Sequence, residues 1–94
     1  MFAAVVRYDL HVPQARSLKA KRAAIRPVVD GCRHRFAVSI AEVGYQDQWQ
    51  RSEVAVAAVA SSASHLDDIL DSVDRFVWSQ PDIEVLEAER SWFP

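Results

Sequence analysis

Residues 2–12 read FAAVVRYDLHV. Phe2, Ala4, Val6, Tyr8, Leu10 and Val12 fall on one side of an extended chain, and Arg7, Asp9 and His11 fall on the other. That alternation predicts a strand with one buried face, ended by Pro13. Beyond it, residues 17–35 change period. Leu18, Ile25, Val28, Val29, Cys32 and Phe36 recur at helical spacings and predict a core-facing stripe. Ser17 stands at the N-cap position. Pro27 removes one backbone hydrogen bond and is expected to kink or split the helix, and Gly31 weakens it further.

Two more strands are predicted at 37–43, AVSIAEV, and 52–60, SEVAVAAVA, joined by a hairpin connection holding Gly44, Asp47 and Trp49. A second helix is predicted over 64–79, with Ser64 and Asp67 as an approximate capping box. Leu66, Ile69, Leu70, Val73, Phe76 and Val77 form its stripe, and Asp67, Asp71, Asp74 and Trp78 point outward. Pro81 stops it, and residues 83–92 form a last strand. The order β-α-β-β-α-β with right-handed split crossovers gives an α+β, ferredoxin-like sandwich. Its four-stranded antiparallel sheet has the order 4-1-3-2, with both helices on one face. The other face is left open, showing Arg7, Asp9 and His11 beside Ala55, Ala57 and Val59.

Ninety-four residues suit a single domain spanning 1–94. Half of the residues are hydrophobic and 26% are charged, which fits an ordinary globular protein and excludes a disordered chain. The apolar run at the N-terminus ends at Arg7. It is too short for a signal peptide or a membrane span, so a cytoplasmic protein without membrane contact is expected. Cys32 is the lone cysteine, so no internal disulfide forms and the fold rests on packing.

Charge is divided along the chain. Seven of the eleven basic residues lie between Arg16 and Arg35, against Asp30 alone, and eight of the thirteen acidic residues lie between Asp67 and Glu89. Lys19, Arg22, Arg26 and Arg33 repeat on the outer side of the first helix, and Arg16, Lys21 and Arg35 widen the patch. Such a patch suits phosphates, with a salt-dependent interaction as its signature. Trp49, the one large aromatic in the polar run Gln46–Arg51, is the other candidate, since Trp and Arg dominate interface hot spots. Its structural alternative is a cover over the sheet end, with Arg51 paired to Glu42 or Asp47. Trp92 and Phe93 are expected to pack on the final edge.

Other chemistries lack their residues. The central strands offer no aromatic platform for stacking bases, so any RNA contact is expected from helix and loops, mostly to phosphate. An acylphosphatase needs a glycine-bearing phosphate loop and an asparagine. The loop Pro13–Ser17 has no glycine, and the chain has no asparagine. His11, Cys32, His34 and His65 are spread over three elements without metal-ligand spacing. Cys32 belongs to the core stripe and has no visible base partner. No catalytic residue, metal or cofactor is therefore expected.

SLKAKR at 17–22, RFAVSIAEV at 35–43 and QDQWQRSEVAVAAVA at 46–60 together resemble the YlxP-like family of small bacterial proteins, a domain of unknown function. The resemblance covers nearly the whole chain and keeps the order and spacing of the three blocks; Pro27 departs from the pattern. It implies a ferredoxin-like fold and a gene neighbourhood with translation-initiation and ribosome-maturation factors. The family supplies no catalytic residues to carry over. The resulting expectation is a non-enzymatic binding protein, meeting ribosomal RNA or a translation factor through its basic first helix. The alternatives are a homo-oligomer, a dimer first, whose open sheet face or acidic helix meets another copy, and a small-ligand sensor.

Overall fold

The computed structural model describes residues 1–93. The elements are β1 (Phe2–His11), α1 (Leu18–Arg35), β2 (Ser39–Gly44), β3 (Arg51–Ala60), α2 (Ala63–Trp78) and β4 (Glu84–Phe93). The strands form one antiparallel sheet in the order β2-β3-β1-β4, the ferredoxin-like order expected. Boundaries differ from the sequence reading by one or two residues.

The β1 alternation holds. Ala4, Val6, Tyr8, Leu10 and Val12 are at most 1% exposed. They meet Ile25, Val28 and Cys32 from α1 and Leu66, Leu70, Val73 and Val77 from α2. Each large side chain so buried contributes about 1.5–3 kcal/mol before conformational entropy is counted. Ser17 caps α1 through a bond from the Ala20 amide at 3.0 Å. Helix α1 runs unbroken through Pro27. Ala23 and Pro27 are both exposed, so the Ala23 carbonyl that loses its partner is open to water. The cap of α2 is Ser62, not Ser64, because the helix begins earlier; its hydroxyl accepts from the His65 amide at 3.2 Å.

Gly31 has a tertiary role that its low helix propensity hides. A Cβ there would lie 2.3 Å from the Phe76 ring, so the glycine lets α1 and α2 approach. Phe36 packs edge-on against the same ring, and the Arg35 guanidinium lies 4.8 Å from its centroid.

The helical layer is off-centre. Helix α1 overlies β2, and α2 overlies β3 and β1. Strand β4 is the least covered; only Val85 and Arg90 are even partly buried, Arg90 through its pairs with Asp71 and Asp74 of α2. Trp92 and Phe93, expected to pack on this edge, are 50% and 51% exposed because neither helix reaches them.

Candidate functional site

Helix α1 sorts its cations by face. Lys21 falls in the apolar stripe with Ile25, Val28 and Cys32, at spacings of four, three and four. It is 1% exposed, so the expectation that it widens the surface patch is corrected. Its ammonium donates to the carbonyls of Tyr45 at 2.7 Å, Gln46 at 3.1 Å and Arg51 at 3.2 Å. It also pairs with the Glu42 carboxylate at 3.2 Å, which in turn accepts from the Ser52 hydroxyl. A buried ammonium with several acceptors is a satisfied structural charge.

Arg16, Lys19, Arg22 and Arg26 are exposed. Among the described residues, none of the four takes part in an ion pair. Arg22 and Arg26 border a shallow groove with Ile25, Val29 and Glu42, between α1 and β2. Arg33 is exposed too, but it donates to the Ile40 carbonyl of β2 at 2.9 Å and lies 3.7 Å from Asp30.

The acidic helix does not neutralise this strip. Asp71 and Asp74 of α2 are bound by Arg90 of β4, at 3.1 and 2.6 Å, and Asp74 also accepts the buried Tyr8 hydroxyl. That burial and that bond drive the Tyr8 phenol far above its usual range.

The loop between β2 and β3 is tied to the start of α1. It opens with Tyr45 in the left-handed region, φ 57°, and turns through a bond from the Gln48 amide to the Tyr45 carbonyl at 3.0 Å. The Gln50 side chain donates to the Ala15 carbonyl at 3.0 Å, and the Val12 amide donates to the Gln50 carbonyl at 2.9 Å. With the three Lys21 bonds, these fix the loop against residues 12–21. Trp49 lies in it, 54% exposed. Arg51 pairs with neither Glu42 nor Asp47. Its guanidinium forms two bonds to Asp9, at 3.0 and 2.7 Å, and lies 4.6 Å from the Tyr45 ring centroid. The Arg51 hydrogen bond holds the Asp9 carboxyl below its usual range. Arg51 therefore belongs to the sheet face and is not a free cation beside Trp49.

The open sheet face divides into two halves. Ala3, Val5, Ala57, Val59 and Phe93 lie towards one end, and Ala55 stands opposite Arg7 at the boundary. The other end is a grid of polar pairs in which Arg7 meets Glu53 and Glu89, Arg51 meets Asp9, and the His11 ring lies 3.3 Å from Glu84. Among the described residues no His, Cys or carboxylate cluster has the form of a metal site. Cys32 is fully buried, and burial pushes its thiol up to about 11, so it is a poor nucleophile at neutral pH.

A protein-family model described as "Protein of unknown function (DUF503)" matches residues 3–90. The chain belongs to the DUF503 family. It is 42% identical over 79 residues to the uncharacterized protein YlxP of Bacillus subtilis (strain 168), covering 84% of this chain and 86% of that protein. Solved structures similar to this DUF503 chain include two designed proteins. Foldit4 superposes with a TM-score of 0.57 at 13% identity, over 95% of this chain and 96% of that one. LFR1 1, designed with a ferredoxin fold, superposes with a TM-score of 0.52 at 12% identity, over 99% of this chain and 84% of that one. At such identities the likeness concerns the fold alone. No helix among the described residues is long and apolar enough to cross a membrane.

Proposed function

We propose that this DUF503 protein is a non-enzymatic binding module that holds RNA, ribosomal RNA first, by its phosphates along α1. The observation that carries the reading is the strip Lys19, Arg22 and Arg26 on α1 with Arg16 just before its cap: all four are exposed and, among the described residues, without an acidic partner. Cations left unpaired in a chain whose net charge is −2 are the ones free to displace counterions from a phosphate backbone. Sedimentation with ribosomes at low and at moderate salt tests it. Co-sedimentation that weakens steeply with salt is expected, and none at low salt overturns the reading.

A second reading is a homodimer joined through β4. It is favoured by a ten-residue edge strand that has no fully buried residue and exposes Leu86, Trp92 and Phe93. An unpaired edge of this kind is a template for another strand. Light scattering at high micromolar concentration tests it, and a strict monomer overturns it. The small-ligand reading has weaker support. The cup on the open face bordered by Arg7, Asp9, Tyr45, Arg51 and Glu53 has both its arginines already paired.

A further inference from the structure

Three hydrogen-bonding groups join the Trp49 loop to the start of the basic helix. Gln50, next to Trp49, donates to Ala15, next to Arg16. The Gln50 carbonyl holds the Val12 amide, and Lys21 gathers the carbonyls of Tyr45, Gln46 and Arg51. The loop that carries the half-exposed Trp49 is thereby held against the segment that carries Arg16 and Lys19, which among the described residues form no ion pair. The loop's remaining side chains between Gln46 and Gln50 are glutamines and one acid, Asp47. Trp78 and Trp92 have no such setting: acids Asp82 and Glu84 follow the first, and Glu87 and Glu89 precede the second.

We propose that this surface takes single-stranded RNA, with an unstacked base on the Trp49 indole and the flanking phosphates on Arg16 and Lys19. The inference rests on the RNA reading above and adds strandedness to it. Phosphate contacts alone accept duplex and single strand alike, whereas an aromatic face needs a base free of its own stack. The two central strands cannot supply that face, because the open sides of β1 and β3 carry Ala3, Val5, Arg7, Asp9, Ala55, Ala57 and Val59. The loop supplies it instead. Its ties to α1 are formed within the protein, so little ordering is left for the moment of binding.

The test uses the full chain with Trp78→Phe and Trp92→Phe, so that Trp49 is the sole indole. Its emission is followed while a short oligoadenylate, or an RNA duplex of the same length, is added. Quenching by the single strand is expected. In the native chain, with a labelled RNA followed by anisotropy, Trp49→Ala should weaken the oligoadenylate by about tenfold and the duplex by less than about twofold, and Trp49→Phe should restore most of the loss. Equal binding of both RNAs, indifferent to Trp49→Ala, overturns the stacking site and leaves the phosphate reading standing. No binding of either RNA by the parent chain at low salt overturns both.

Discussion

The ammonium of Lys21 lies 2.7 Å from the carbonyl oxygen of Tyr45, inside the protein rather than on the surface its neighbours occupy. One lysine thus holds the β2–β3 loop onto α1. Lys21→Met keeps the stem and removes the charge, taking one donor from each of three carbonyls and from Glu42. A loss of about 2–4 kcal/mol is expected in chemical denaturation. Faster amide hydrogen exchange at Gln48, whose own bond is to Tyr45, is the local signature.

Charge reversal on the strip should behave oppositely. Lys19→Glu, Arg22→Glu and Arg26→Glu together touch exposed, unpaired side chains. The melting temperature is expected to stay nearly unchanged. Affinity for RNA should fall by more than about tenfold, and the salt slope should flatten as phosphate contacts disappear. Unchanged RNA affinity in a folded triple variant places the phosphate site elsewhere.

Gly31→Ala sets two effects against each other. Alanine gains about 1 kcal/mol of helix propensity, while a Cβ driven into the Phe76 ring costs about 1–3 kcal/mol. Phe76 is confined by Phe36 and Arg35, so overpacking should win and the melting temperature should fall. Phe76→Leu in the same chain should recover part of the loss, and additive effects would show that the contact is not the cause.

The pH dependence above neutrality should carry a mark of Cys32. Burial raises its thiol from 9.0 to about 11 in the folded protein. Between those values the folded state holds a proton that the unfolded state has released, so stability falls as pH rises through this window. The slope from this group is at most about 1.4 kcal/mol per pH unit. Tyr8, raised in the same direction, adds its own decline above pH 10. In Cys32→Ala the decline between pH 9 and 10 should flatten in urea titrations, even though the variant is less stable throughout.

The fold was legible because its signals are local. The β1 alternation and the two helical stripes each need only one segment, and together they force the strand order. Lys21 was legible in principle: counting back from Cys32, Val28 and Ile25 lands on it, and a charge on an apolar stripe is a buried charge awaiting partners. Those partners, carbonyls of a loop some twenty-five residues on, follow from no local pattern. The Arg51–Asp9 pair depends on the β1–β3 register, and the Gly31–Phe76 contact on helix-to-helix distance. The exposure of Trp92 depends on where the helical layer stops.

That off-centre layer makes the two margins of the sheet unequal. The short β2 lies under α1, with its Ile40 carbonyl engaged by Arg33, while β4 offers its whole length. Copies that joined by their margins would therefore meet unequal partners, ten residues of β4 against six of β2. A like-with-like pair through β4 would close on itself, whereas β4 added to β2 would repeat from copy to copy.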